Sequence, residues 1–205
     1  MSDAAAPDGR PMIGPFDRAG WRAWLVANHG ASTGVYLVSW RRPTGRESVP
    51  YEEAVEEALC VGWVDSTGRV IDEDRSIQWF APRRPRSAWA RSNKERVERL
   101  IAAGLMLPAG QAAIDEAKSN GMWTLLDDVE NLVVPDDLAT ALTSTPGAQA
   151  NWDAFSRSAR RAMLEWVVQA RRPNTRADRI ARIAEGAGRN ERAYPPPSDE
   201  RSSPS

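Results

Sequence analysis

Hydrophobic residues near the start of the chain recur at a near-helical spacing. Large apolar side chains in residues 16–29 follow this spacing, and Asn-His-Gly at 28–30 is a stop signal, so the pattern predicts a helix over residues 16–29. The next apolar run, GVYLVSW at 34–40, is rich in β-branched and aromatic residues and is followed by a Pro-Thr-Gly turn. This composition predicts a strand.

A second helix and a group of short strands follow. PYEEAVEEAL at 50–59 begins with proline and carries glutamates in its early turns, as a helix favourable to its dipole does. After residue 62 the pattern changes to short β-prone runs separated by turn residues, at 63–65, 69–71 and 76–80. These runs predict an antiparallel meander.

From residue 92 onward the pattern is helical. Ser92-Asn93-Lys94-Glu95 has the sequence of a capping box and predicts the start of a helix that ends at Gly104. Another helix is predicted over residues 108–119, between a proline and an Asn-Gly pair. Four further helical signals lie at 135–142, 146–155, 158–170 and 175–184, the last opened by a second capping box.

Together these elements predict an α+β fold in which an antiparallel sheet packs with helices and a C-terminal helical extension follows. The predicted α+β domain covers residues 16–132 and the helical region covers residues 133–188. Residues 1–15 and 189–205 are rich in Pro, Ser, Gly and charge, and are expected to be disordered tails.

Several long motifs occur together and in order along the chain. They are ALCVGWVDS from Ala58, APRRPRSAWARSNKERVERL from Ala81, GLMLPAGQAAIDEAKSNGMW from Gly104, and near the end VPDDLATAL and WVVQARRPNTRADRIARI. With these motifs the chain resembles the bacteriocin-protection, YdeI/OmpD-associated (OmdA-like) family over roughly residues 16–188. The resemblance implies a YjbR/CyaY-like α+β sandwich with a small helical extension. It also implies a role in tolerance of bacteriocins or cationic antimicrobial peptides together with an outer-membrane porin, and it brings no catalytic residues with it.

The composition of the 205 residues narrows the class of protein. A net charge of −1 argues against a protein devoted to nucleic acids or membrane surfaces, because such binding needs a sustained positive field. One cysteine and one histidine give no zinc pattern and no internal disulfide, so no metal and no cofactor are expected. No apolar stretch approaches the length of a membrane span, and a cytoplasmic location is expected.

Charge is unevenly distributed, and the segment from Trp79 to Lys94 is the preferred ligand site. Two prolines stiffen a loop that carries three arginines, and the predicted helix after it turns free backbone amides toward the same region. Such a surface suits a small anionic or aromatic ligand. The predicted ligand-binding residues are Trp63, Asp65, Trp79, Arg83, Arg84, Arg86, Ser87, Trp89, Ser92, Asn93 and Lys94. The alternative is that the tryptophans fill the core and the arginines pair with the acidic segment at 115–137.

Two residues are candidates for catalysis. Cys60 lies at the end of a predicted helix near basic residues that favour a thiolate, but His29 is the sole imidazole and only the fold could place it nearby. A buried core cysteine is the more common outcome. Asp65 stands at an expected strand end, where it could pair with Arg69 or Arg83 or take part in acid–base chemistry.

A second basic run covers residues 157–182, on two amphipathic helices. A solvated helix face explains most of its charge, and weak, non-specific nucleic-acid binding is the alternative. The leading hypothesis is a stress-tolerance or accessory binding protein, monomeric or weakly dimeric. A thiol- or carboxylate-dependent enzyme is the rival class.

Overall fold

The computed structural model describes residues 4–6 and 8–194. The chain divides into two compact units, residues 1–123 and residues 124–205, so the division falls before the boundary predicted after residue 132. The described part of the first unit contains a sheet and four α-helices, and that of the second is helical. The predicted α+β class is confirmed, whereas the YjbR/CyaY-like arrangement stays a prediction.

The sheet of the first unit has five strands within the described residues. They are β1 (Ala4–Ala5), β2 (Pro11–Ile13), β3 (Val35–Trp40), β4 (Trp63–Val70) and β5 (Arg75–Pro82). Their order across the sheet is β1-β2-β3-β5-β4. The predicted meander of three short strands is wrong, because the runs at 63–65 and 69–71 fall almost entirely within one strand, β4, which forms an antiparallel hairpin with β5. β3 pairs antiparallel with β5, but β2 runs parallel to β3, so the sheet is mixed.

The mixed sheet arises from a segment that was expected to be a tail. The described part of residues 1–15 supplies β1 and β2, because the backbone of Met12 and Ile13 pairs with β3. Met12 is also buried, which gives this segment apolar contacts with the rest of the fold. Residues 1–3 and 7 of this predicted tail, and residues 195–205 of the other, lie outside the described residues.

Two helices cover part of one face of the sheet. They are α1 (Arg18–Asn28) and α2 (Tyr51–Cys60), which pack against each other and share one core with β3, β4 and β5. Trp21 of α1 is fully buried there, and its indole Nε1 donates to the carbonyl of Ala54 over 3.0 Å. A smaller core lies on the opposite face, around Tyr36, Val38 and Ile77. Because strand side chains alternate between faces, β2, β3 and β5 contribute to both cores.

The remaining helices of the first unit are α3 (Arg91–Ala102) and α4 (Pro108–Ser119). The range predicted for α4 is confirmed. The capping box predicted at Ser92 is wrong. The helix starts two residues earlier than predicted, at Arg91 with Ala90 as its N-cap, and no side chain in the described part of the chain caps it. Ser92 is therefore an exposed residue of the first helical turn.

The second unit contains five helices in its described part: α5 (Asp127–Glu130), α6 (Asp136–Ser144), α7 (Ala148–Ala154), α8 (Arg157–Val168) and α9 (Pro173–Gly188). α9 contacts each of α6, α7 and α8. Helices are present at all four predicted positions, but α9 starts earlier than predicted, with Arg172 as its N-cap, so the predicted capping box at its start is also wrong. The pattern predicted no helix at α5.

Candidate functional site

Two of the three predicted site tryptophans are core residues. Trp63 and Trp89 are each 1% exposed and belong to the core beneath α1 and α2. Trp63 packs against the ring of Trp24, with the centroids 6.0 Å apart, and donates from Nε1 to the carbonyl of His29 over 3.3 Å. The expectation that these indoles offer stacking faces to a ligand is corrected, because the apolar area that they bury stabilises the core.

The third tryptophan lies on the other face of the sheet. Trp79 packs on the smaller core, with its ring 4.8 Å from that of Tyr36 and the guanidinium of Arg10 4.8 Å above it. Neighbouring residues of a strand point to opposite faces, and Phe80, the next residue of β5, belongs to the core that contains Trp63 and Trp89. Trp79 therefore lies on the opposite side of the sheet from the other two tryptophans. The structure does not bring the three tryptophans together.

Arg83 and Trp89 do come together. The Arg83 guanidinium lies 3.9 Å from the centroid of the Trp89 ring, and its Nη2 donates to the carbonyl of Ala88 over 2.7 Å. Arg83 Nε and Nη1 and Trp89 Nε1 are buried and have no hydrogen-bond partner among the described residues. Burial lowers the pKa of Arg83 to about 10, against the opposing effect of the Asp65 charge.

The rest of the arginine loop is held against the segment that follows α4. Asn120 Nδ2 donates to the carbonyl of Pro85 over 2.7 Å, and Trp89 packs on Trp123 with the ring centroids 5.0 Å apart. Arg84 and Arg86 are exposed and form no ion pair with any described residue. They remain available to a ligand, but no aromatic partner reaches them within the described structure.

The other residues predicted in this segment have local roles. Ser87 is half-buried, and its backbone N–H donates to the carbonyl of Arg84 over 2.9 Å. Asn93 Oδ1 accepts from Arg96 Nη1 over 3.0 Å. The Lys94 ammonium lies 5.5 Å from the Trp123 ring. These contacts order the loop and the start of α3.

Cys60 is a buried free thiol. Burial raises its pKa, and a hydrogen bond from Arg22 opposes the rise. The ring of His29 contacts its own helix instead, with Nδ1 3.0 Å from the carbonyl oxygen of Leu25. The environment of Cys60 therefore suits a core residue better than a nucleophile.

Asp65 has partners that the sequence did not suggest. Tyr51 Oη donates to Asp65 Oδ2 over 2.7 Å, and Gln78 Nε2 donates to the same oxygen over 3.3 Å. Arg69, one of the two expected partners, instead donates to Asp8 over 3.1 Å. Arg83, the other, interacts with Asp65 only through its charge. The expected arginine hydrogen bond is corrected to a tyrosine and a glutamine.

Tyr51 and Gln78 lead to a cleft that sequence reasoning missed. It has a volume of about 1010 Å³ and lies on the sheet face that carries α1 and α2, beside the starts of both helices. The register explains its floor: on β3 and β5, Leu37 stands opposite Gln78 and Ser39 opposite Ser76, and β4 aligns Gly68 and Val70 with the same two β5 residues. All of these residues line the cleft, together with Phe80.

The rim of the cleft carries positive charge. Arg42 begins a 3₁₀ turn, Arg42–Thr44, that follows β3 directly, and the Arg46 guanidinium stacks 4.5 Å from the centroid of the Trp40 ring. Both arginines are exposed, and neither has an ion-pair partner in the described part of the chain. A guanidinium stacked on an aromatic ring keeps its in-plane N–H groups available for a carboxylate or phosphate.

The other charged residues of the lining are partly occupied. Arg18 donates to Glu57 over 2.7 Å, and Asp17 accepts the backbone N–H of Gly20 over 2.7 Å as the N-cap of α1. Glu47 is an exposed carboxylate at the rim. Arg42 and Arg46 are thus the cations that the cleft offers to an anion.

Arginines of the second basic run form ion pairs within the second unit. Arg161 donates to Glu130 over 2.8 Å, and Arg176 donates to Asp137 over 2.7 Å and 2.9 Å. The Asp137 pKa is lowered, first of all by the hydrogen bonds from Arg176. These pairs reduce the charge available to a nucleic acid, and nucleic-acid binding stays a prediction.

Comparison with known families finds two matches. Residues 15–113 match a family described as a domain of unknown function, DUF8412, and this range contains the whole cleft. Residues 131–190 match a family described as Bacteriocin-protection, YdeI or OmpD-Associated, which confirms the resemblance over that range. Neither curated proteins nor solved structures give a match.

The described residues include no helix that is long and apolar enough to cross a membrane. Within the same residues no cluster of three or more His, Cys, Asp or Glu side chains could hold a metal ion.

Proposed function

We propose that the protein is an accessory binding protein that takes a small anionic ligand with an apolar part into the cleft on the sheet. The observation that carries the proposal is the pair of exposed arginines, Arg42 and Arg46, at the rim of a cavity of about 1010 Å³. A cavity of this size is at the upper end of those that hold small molecules.

The lining supports a ligand of this type. Val70, Trp40 and Pro50 give the lining an accessible apolar surface, and Ser39 and Ser76 add hydroxyl groups. An apolar group of the ligand would displace water from the floor while its anionic group meets the guanidinium groups at the rim. The Trp40 ring beneath Arg46 reduces the conformational entropy lost when the anion binds.

Binding is proposed in preference to catalysis because the two catalytic candidates lack suitable surroundings. Burial raises the pKa of the Cys60 thiol, and the Asp65 carboxylate already accepts hydrogen bonds from Tyr51 and Gln78. The predicted loop site at Arg84 and Arg86 remains a weaker candidate, since the neighbouring indole of Trp89 is buried.

The biological role proposed here follows the family name matched by residues 131–190. We propose that ligand capture serves protection against bacteriocins, in the cytoplasm and by a monomer or weak dimer. A bacteriocin-sensitive host that expresses the wild-type chain would then survive exposure better than one that expresses Arg42→Ala/Arg46→Ala. Equal survival of the two strains would show that the cleft arginines have no part in protection.

The binding proposal is tested by thermal stabilisation with a panel of carboxylates, phosphates and nucleotides. A ligand present at 100 times its Kd stabilises the folded state by about 2.7 kcal/mol. The double variant Arg42→Ala/Arg46→Ala should lose the effect, whereas the control Arg84→Ala/Arg86→Ala, which changes two exposed arginines outside the cleft, should retain it. The proposal fails if no compound on the panel stabilises the wild-type protein.

A further inference from the structure

The hydrogen-bond donors of two cleft residues are already used. Tyr51 Oη donates its proton to Asp65 Oδ2 over 2.7 Å. Gln78 Nε2 donates to the same carboxylate oxygen over 3.3 Å and to the carbonyl of Ser66 over 2.9 Å. A carboxylate and a carbonyl can only accept, so they fix which end of the Gln78 amide faces them.

What these side chains can still offer a ligand is therefore an acceptor. A phenol has one proton and a primary amide has two, so the Tyr51 oxygen and Gln78 Oε1 remain as acceptors on residues that line the cleft. Glu47 adds a carboxylate to the same lining. All three groups favour a hydrogen-bond donor or a cation.

Gly68 makes room for this orientation of Gln78. The two residues stand opposite each other on β4 and β5, beside an irregularity in the register between Asp65 and Gly68. A Cβ atom added at Gly68 would lie 2.2 Å from Gln78 Oε1. Only glycine leaves space for the amide oxygen above the strand.

The lining thus carries two opposite chemistries: exposed guanidinium donors on Arg42 and Arg46, and acceptors on Tyr51, Gln78 and Glu47. We infer that the cleft selects amphoteric ligands, namely short peptides whose free carboxylate meets the arginines and whose ammonium or amide N–H groups meet the acceptors. A single amino acid has the same chemistry, but a cavity of about 1010 Å³ suits a ligand of several residues better. This inference rests on the proposed function of the cleft.

Three probes that differ by one group test the inference by calorimetric titration of the full chain. They are the dipeptide phenylalanyl-phenylalanine, its des-amino analogue, which lacks only the ammonium group, and its C-terminal amide, which lacks the carboxylate. The dipeptide should bind most tightly, and each analogue should lose at least about tenfold in affinity, as expected for one charge-assisted hydrogen bond.

Two variants assign the preference for the ammonium group to the acceptors. In Gln78→Met and in Glu47→Gln, the ratio of the dipeptide and des-amino affinities should fall toward one. Glu47 is exposed, so its substitution leaves the fold intact even if that of Gln78 does not. An unchanged ratio in folded samples of both variants overturns the inference.

Binding measurements on the wild-type protein distinguish a failure of this inference from a failure of the proposed function. If the des-amino analogue binds as well as the dipeptide, or if only non-peptide anions bind, the amphoteric selection is wrong and the anion-binding proposal stands. If neither the three probes nor the panel of anions binds, both are wrong.

Discussion

The guanidinium of Arg83 lies 3.9 Å from the centroid of the buried Trp89 ring, while two of its nitrogens and the indole Nε1 have no hydrogen-bond partner among the described residues. A buried cation without a counter-ion in contact reduces the stability of the fold. Asp65 offsets part of this effect through its charge. The Arg83 guanidinium therefore destabilises the fold at the position that follows β5.

Replacement of Arg83 by an apolar side chain of similar length should therefore stabilise the protein. The lowering of the Arg83 pKa to about 10 means that the charged guanidinium destabilises the folded state by roughly 3 kcal/mol at neutral pH. The lost cation–π contact and the lost hydrogen bond to Ala88 offset most of this amount, so Arg83→Met should raise the free energy of unfolding by about 1 kcal/mol. Urea denaturation followed by tryptophan fluorescence measures it. Arg84→Met at the exposed neighbouring position is the control, and a less stable Arg83→Met would refute the prediction.

Cys60 should not react in the folded protein. Its thiol is buried, and burial raises its pKa, so both access and the thiolate fraction are low near neutral pH. Modification by a disulfide reagent should be at least about 100-fold slower in buffer than in denaturant, because it requires local opening. Comparable rates under the two conditions would show that the Cys60 thiol is accessible in the folded protein and could act as a nucleophile.

The Tyr51 phenol should have a raised pKa that depends on Asp65. Burial and then the hydrogen bond to Asp65 raise the Tyr51 pKa to about 12. Because the folded state holds the Tyr51 proton more tightly than the unfolded chain does, this group contributes fully to folding stability below about pH 10, the ordinary pKa of tyrosine. The contribution is lost as the pH rises through 12. In Asp65→Asn the Tyr51 pKa should fall toward about 10, because about half of Tyr51 is exposed and the substitution removes the carboxylate that accepts its proton.

Ultraviolet titration measures this change, and Tyr51→Phe identifies the signal that belongs to Tyr51. A Tyr51 pKa that is unchanged in Asp65→Asn would show that the carboxylate does not hold the phenol in solution.

Gly68→Ala should disturb the cleft floor. The new Cβ would lie 2.2 Å from Gln78 Oε1, so the amide must turn away from Asp65 and Ser66. We expect a loss of about 1 kcal/mol in stability and a lower affinity for any ligand that stabilises the wild type. The matched control is Gly30→Ala, where an added Cβ meets no atom within 4 Å. Equal behaviour of the two variants would contradict the arrangement of Gln78.

Local signals in the sequence predicted most of the helices. α4 was predicted over its full range because proline at its start and Asn-Gly at its end act within a few residues. The two capping boxes were wrong because the neighbouring backbone extends each helix past the serine or threonine. β1 and β2 were missed because they are short: β1 pairs with β2, and β2 pairs in turn with β3, which lies far along the chain.

The site was harder to predict than the fold. Charge and tryptophan are concentrated around Trp89, which suggested a surface site, but the sequence does not show that the indole turns inward while Arg84 and Arg86 turn outward. The cleft depends on the register that places Ser39 opposite Ser76, and this pairing is a tertiary property. The only local indication was the basic WRRPTGR stretch after a strand.

The most direct test of the cleft is an NMR titration of the full chain with 3-phenylpropionate, which combines a carboxylate with an apolar ring. The account predicts that the backbone amide signals of Ser39, Gly68, Ser76 and Gln78 shift, and that Arg42→Ala/Arg46→Ala abolishes these shifts. Shifts confined to residues 83–94, or no shifts at millimolar concentration, would contradict ligand binding in the cleft.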